Sequence, residues 1–326
     1  MKIPLLFWRL LRYRVALMLI LFMLLSISIH QKLSLHPLLI IFACLSLAAG
    51  YVSATSVNDI ADAKIDAINH PKSLGRPLIT GEGNKRDLTI LFIFSSVLSL
   101  LLASFVNLDA LLILGLMILI NVVYSLPPIK FSYRTFLAPV ILGIAYVGIP
   151  FSLGLAIVNR QVNATDYYWF LGLYVMFVGR IILKDFRDRK GDAKYNKPTF
   201  LLKFGKKATC IFSYTGIVAG GLIIVLLLHQ IYWLSAISAL YLLAIIFMIR
   251  RLQISPEGMQ EQLSIGVAAK MGNGLIITIL CTFVLRQSSA PIITQESIVT
   301  AVAVLFFANY FYFLQHPKEA MIAYKG

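Results

Sequence analysis

Ten runs of apolar residues, each long enough to cross a bilayer, constrain this chain before anything else does. They lie at 15–30, 37–57, 88–106, 109–125, 136–158, 167–184, 208–228, 231–249, 264–285 and 294–314. A spanning helix needs about 20 mostly apolar residues, because lipid offers no partner to a backbone N–H or C=O and a helix satisfies both within one segment. The ninth run contains Lys270 among glycines, so it can be broken or start late, and the expectation is nine or ten helices. Of the 326 residues 59% are hydrophobic and only 13% charged, which excludes a soluble globular domain. The fold class is therefore all-α: a polytopic transmembrane helical bundle, read as a single intramembrane domain over 1–326. The first run follows Arg9, Arg12 and Arg14 and has no small-residue cleavage site, so it reads as a first span and not a signal peptide.

The net charge of +15 invites a nucleic-acid reading, but its distribution argues otherwise. With the N-terminus in the cytoplasm and loops assigned alternately, 24 of the 29 basic residues fall on the cytoplasmic side. Only Lys32, Arg160 and Arg286 fall outside, and Arg180 and Lys270 lie within spans. That is the positive-inside pattern, so the charge sets orientation in a lipid bilayer and no nucleic-acid partner is implied. The expected location is the inner or cytoplasmic membrane, multi-pass, with the N-terminus inside. Cys44, Cys210 and Cys281 all sit in apolar runs without ligand spacing, which disfavours zinc.

Against this background the acidic residues are oddly placed. "NDIADAKIDA" follows the second span and "KDFRDRKGDA" follows the sixth, 126 residues later, and six of the nine aspartates lie in these two stretches. Four intervening spans return the chain to the same side, which suggests two parallel pseudo-repeats with both clusters at cytoplasmic helix ends. Asp59, Asp62 and Asp66 share the i, i+3, i+7 spacing of Asp185, Asp188 and Asp192. At about 100° per residue each set keeps to one helical face. Like charges so arranged need a cation. Neighbouring Arg187 and Arg189 could supply it in a purely structural network. Alternatively Mg²⁺, which takes carboxylates together with phosphate oxygens, would bind there with a diphosphate. Lys72, Arg76, Lys130, Lys190 and Lys197 surround the clusters and suit phosphate, and Arg180 sits within a span five residues before Asp185. A transporter is the competing class, as is another Mg²⁺-dependent lipid-diphosphate transferase. A transporter's functional acids cluster near the midplane and not at helix ends.

Four stretches together resemble the signatures of UbiA-type intramembrane prenyltransferases. They are "NDxxDxxxD" at Asn58–Asp66, "RPLITGE" at Arg76–Glu82, "YSLPPIK" at Tyr124–Lys130, and "DFRDRKGD" at Asp185–Asp192 followed by "KPTFLLKFG". The resemblance implies transfer of a prenyl group from an isoprenyl diphosphate to a lipophilic or aromatic acceptor, with Mg²⁺ as cofactor, as in quinone-, tocopherol- or chlorophyll-type biosynthesis. It implies that Asn58, Asp59, Asp62, Asp66, Asp185, Asp188 and Asp192 hold metal and diphosphate. Arg76 matches the family's Arg before Pro, and Tyr124 its connector Tyr near the reacting carbon. Lys130 follows Tyr124 by six residues where several members have four, and Asn196 replaces the usual Gly ahead of the threonine.

Overall fold

Every one of the ten apolar runs is helical in the computed structural model, which describes residues 2–71, 73–158 and 161–319. Lys72, Arg160 and Lys325 lie outside the described residues. The chain builds α1 (Lys2–Leu11), α2 (Tyr13–Ile29), α3 (Pro37–Asn69), α4 (Pro77–Thr80), α5 (Lys85–Ser104) and α6 (Leu108–Ser125). Then come α7 (Leu137–Gly143), a π-helical turn (Ile144–Gly148) and α8 (Ile149–Val158), followed by α9 (Ala164–Ile181) and α10 (Asp185–Lys194). Four long helices complete it: α11 (Phe200–Leu227), α12 (Tyr232–Ile254), α13 (Met259–Leu285) and α14 (Ile292–Gln315). No strand occurs among the described residues.

Among the described residues eight helices are long and apolar enough to cross a membrane, and α1 with α2, bent by 62° at Arg12, makes a ninth. The chain is a multi-pass membrane protein. The expected sixth span forms α9, which has 18 residues, carries Asp166 and Arg180 near its two ends and is less apolar than the helices just counted. The expected second span also runs on: α3 continues 12 residues past the apolar stretch, to Asn69.

Local signals account for the helix starts. Asn84 and Asp87 form a reciprocal capping box at α5, and Asn163 and Asp166 form another at α9. Asp109 lies in the first turn of α6, capped by Asn107. All three aspartates outside the two clusters thus sit at helix N-termini, where the helix dipole favours them.

The chain divides into two compact units, Met1–Gln161 with Asp188–Lys203, and Val162–Arg187 with Phe204–Gly326. The core of the first joins Leu19, Met23 and Ile27 of α2 to Leu47 and Tyr51 of α3, Leu114 and Met117 of α6, and Leu153 of α8. Helices α3 and α5 meet through small residues. Ser46 Oγ donates to Ser99 O at 2.6 Å while Ser99 Oγ donates to Ser46 O at 2.8 Å. Such exchanges bind helices where lipid removes the hydrophobic drive. In the second unit α12, α13 and α14 pack together, with Tyr241 fully buried and its hydroxyl 3.0 Å from Thr278 Oγ1. Its α11 is broken at Gly205, whose φ of +79° is glycine's province.

Candidate active site

The polar extension of α3 builds one wall. Asp59, Asp62 and Asp66 lie in its last three turns and all are buried. Their spacing puts them on one face, as expected. Near a helix C-terminus carboxylates oppose the dipole, and burial raises the cost of leaving them unpaired. The structure supplies cations from three directions.

The first is Arg12. Leu6 and Leu10 of α1 pack against Val52, Leu88 and Leu91, and Thr55 Oγ1 of α3 donates to Leu10 O at 2.9 Å. This seats the α1–α2 break over α3. Arg12 occupies the break with φ 39° and ψ 60°, a left-handed backbone that non-glycine residues rarely adopt. Its Nη2 donates to Asp59 Oδ1 at 2.7 Å and Oδ2 at 2.8 Å, and its Nε reaches Gly75 O at 3.2 Å. The second cation is Arg76. Pro77 opens α4 and Gly81, at φ +76°, closes it, so "RPLITG" is one short helical turn with Arg76 as its N-cap. Arg76 Nη1 donates to Asp59 Oδ1 at 2.6 Å and also to Asp66 Oδ2. Glu82, just beyond, takes Arg9 Nη2 at 3.3 Å. The third is Lys197, whose Nζ donates to Asp62 Oδ2 at 3.0 Å and lies 3.9 Å from Asp192 Oδ1.

Helix α10 forms the opposing wall. Gly191 N donates to Asn69 Oδ1 at 2.6 Å, and His70 Nε2 lies 3.0 Å from Asp188 Oδ1. A Cβ on Gly191 would sit 2.6 Å from Ile65 O, so only glycine permits this approach. Two residues of the second cluster, Asp188 and Asp192, are thereby brought to the first within one unit. Asp185, also buried, opens α10 on residues of the second unit.

Other expected residues fall differently. Tyr124 is half-buried in the last turn of α6. The tyrosine beside the carboxylates is Tyr133: Lys130 Nζ lies 3.9 Å and Lys197 Nζ 5.9 Å from its ring centroid. Burial, then the charges of Asp62 and Asp192, hold its phenol above the ordinary range against the pull of Lys197, so it stays a hydrogen-bond donor. Asn58 is half-buried on α3, and Lys190 is exposed on α10. In the second unit Arg180 donates to Asn273 Oδ1 at 2.9 Å and stands 5.5 Å from the Phe177 ring. Lys72 is outside the described residues. Arg12, Asn69, His70 and Tyr133 escaped the sequence reading. Arg12 looked like one more cytoplasmic charge, and nothing in "LLRYR" announces a left-handed break.

Among the described residues no three carboxylate, histidine or cysteine side chains gather as a metal's ligand set; the carboxylates are held by cations instead. The donor chemistry nonetheless fits a hard divalent ion. Asp62 Oδ1 is buried and accepts no hydrogen bond among the described residues, a lone-pair site that suits a cation.

The model of the UbiA prenyltransferase family matches residues 18–273. The chain belongs to the UbiA prenyltransferase family. Among curated UbiA relatives, it is 25% identical to digeranylgeranylglyceryl phosphate synthase of Methanosphaera stadtmanae over 203 residues, 62% of this chain and 69% of that one. It is 28% identical to homogentisate phytyltransferase of Synechocystis sp. over 187 residues, 55% of this chain and 59% of that one. A solved UbiA homolog from Archaeoglobus fulgidus bound to GPP and Mg²⁺ superposes with a TM-score of 0.66 at 20% identity, over 85% of this chain and 99% of that one. The all-helical UbiA fold is thus shown for this chain.

Proposed function

We propose that this UbiA member transfers a prenyl group from an isoprenyl diphosphate to a lipophilic or aromatic acceptor, with Mg²⁺, at the cytoplasmic face of the membrane. The observation that carries the reading is the docking of α10 on α3 through Gly191 and Asn69, which sets two aspartate walls in one unit with Arg12, Arg76 and Lys197 between them. Solved relatives bound to GPP or DMAPP with Mg²⁺ support it.

Asp59, Asp62, Asp66, Asp188 and Asp192 would hold the metal. When bound, Mg²⁺ neutralises charge on the departing diphosphate. Arg76 and Lys197 bind diphosphate oxygens, the first as a planar fork and the second as a mobile point charge. Arg12, anchored on Gly75 O, holds Asp59 in place. Tyr133 keeps its proton and donates to an oxygen that has gained charge. The allylic fragment needs walls that exclude water and offer ring faces to positive charge. Tyr51 and Tyr146, with ring centroids 6.2 Å apart, provide such a pair on α3 and the π-helical turn. The acceptor attacks C1 of the chain as the C–O bond to diphosphate breaks, and the acceptor's proton leaves last.

The test is transfer from labelled geranyl, farnesyl and geranylgeranyl diphosphates by the purified protein. Asp62→Asn and Asp188→Asn should each abolish it. Full turnover in both variants, or none in the parent with any donor, would sink the reading.

A further inference from the structure

The inner face of α6 changes character along its length. Its buried positions run Ala110, Leu114, Met117, then Asn121 and Ser125. Asn121 is 8% exposed, and its Nδ2 is buried with no hydrogen-bond partner among the described residues. Some buried hydroxyls of this unit are satisfied locally: Ser46 and Ser99 exchange bonds, and Ser56 Oγ turns back to Val52 O at 2.7 Å, while Ser28, Ser95 and Ser132 share Asn121's lack of a partner among the described residues. Those three are single hydroxyls, whereas Asn121 brings a whole carboxamide to the inner face of α6. An amide N–H group left unpaired between helices in lipid is costly, and such groups mark functional positions.

Its place suggests the use. Met117, one turn earlier, lies 3.2 Å from where a Gly50 Cβ would be, so this face looks onto α3. Helix α6 also touches the π-helical turn Ile144–Gly148, and such insertions mark functional sites. Beyond Ser125 the chain leads to Lys130 and Tyr133, whose phenol feels Asp62. Asn121 therefore stands where the apolar interior gives way to the carboxylates. An uncharged amide is a poor match for a diphosphate and useless to an isoprenoid tail. It matches a neutral oxygen, as donor to a carbonyl or as either partner to a hydroxyl.

We propose that Asn121 binds a hydroxyl or carbonyl oxygen of the acceptor and sets its orientation below the diphosphate. This rests on the prenyl-transfer reading and adds the acceptor's polar anchor.

The test compares equilibrium binding of homogentisate and of phenylacetate, the same carboxylate-bearing ring without hydroxyls, to the full chain in detergent. The parent should prefer homogentisate by about tenfold, a typical value for one buried hydrogen bond. In Asn121→Leu the preference should shrink to within about twofold. Packing damage weakens both ligands alike and cancels in the ratio. If leucine overfills the site, Asn121→Ala is read by the same ratio. An unchanged ratio in the variant, no preference in the parent, or no binding of either compound overturns the assignment. Transfer is read separately. Discriminating binding without release of diphosphate from geranylgeranyl diphosphate would break the functional reading and leave Asn121's role standing.

Discussion

Gly191→Ala should damage the enzyme far beyond the size of a methyl group. The new Cβ would lie 2.6 Å from Ile65 O, 2.7 Å from Asn69 Nδ2 and 2.8 Å from Asn69 Cγ. Ordinary contact begins near 3.4 Å, so α10 must retreat from α3 by about 0.8 Å against backbone that cannot yield. Overpacking of this kind costs about 1–3 kcal/mol, and losing the Gly191–Asn69 hydrogen bond adds about 1. The larger consequence is geometric. Asp188 and Asp192 ride on the displaced helix, and a shift of about 1 Å in a positioned group can cost on the order of 100-fold in rate. The assay is kcat/KM with a labelled prenyl diphosphate beside a thermal unfolding curve in detergent. Gly115→Ala on α6 is the control, since nothing lies within 4 Å of its Cβ, and it should leave both unchanged or raise stability slightly. A Gly191→Ala protein with activity within threefold of the parent would refute the docking argument.

Arg12→Lys should lower kcat/KM by about tenfold or more, because an ammonium cannot span both Asp59 oxygens and Gly75 O together; steady-state kinetics in the donor checks it. Ser46→Ala and Ser99→Ala should each lower stability by about 0.5–1 kcal/mol, and the double variant by less than their sum, read from unfolding midpoints. Chelation with EDTA should abolish transfer and added Mg²⁺ restore it, followed by labelled product. Mg²⁺ alone or diphosphate alone should raise the unfolding temperature little, and the two together should raise it by several degrees.

The fold was largely legible because lipid leaves few choices. All ten apolar runs became helices, and the Asp spacing put Asp59, Asp62 and Asp66 on one face of α3 as the period required. Arg76 and Lys197 were expected beside the clusters as diphosphate ligands, and here they pair with Asp59, Asp66 and Asp62. What stayed hidden depends on tertiary contact. Arg12 becomes a ligand of Asp59 only because α1 bends away at a left-handed residue, and that bend is fixed by Leu6 and Leu10 packing on distant helices. Asn69 and His70 carry no signal in the sequence, and their role comes only from α10 resting on them. Tyr133 lies on the short turn after the prolines, and no motif in the sequence marked it as a neighbour of Asp62 and Asp192. Helix α9, the sixth expected span, falls short of the hydropathy of the other spans because Asp166 and Arg180 at its ends offset the hydrophobic rings of "YYWFLGLYVMF".

The pairing of carboxylates with cations is compatible with a metal-diphosphate site, and it shapes how one would fill. Asp59, Asp62 and Asp66 are buried, so removing a cation from them without replacement leaves an uncompensated charge, which is costly. A divalent ion arriving alone would displace Arg76 or Lys197 from a carboxylate and strand its charge. A diphosphate arriving alone would draw the same cations away and strand the carboxylates. Arriving together, the metal takes the carboxylates and the diphosphate takes the freed guanidinium and ammonium, so every buried charge keeps a partner. Arg12 differs from the other two, because Gly75 O and both Asp59 oxygens fix its guanidinium on several sides. On the prenyl-transfer reading, Arg76 and Lys197 are the exchangeable cations and Arg12 the fixed one. A ligand with a single phosphate offers fewer oxygens to the two freed cations, so the same network also favours diphosphates over monophosphates.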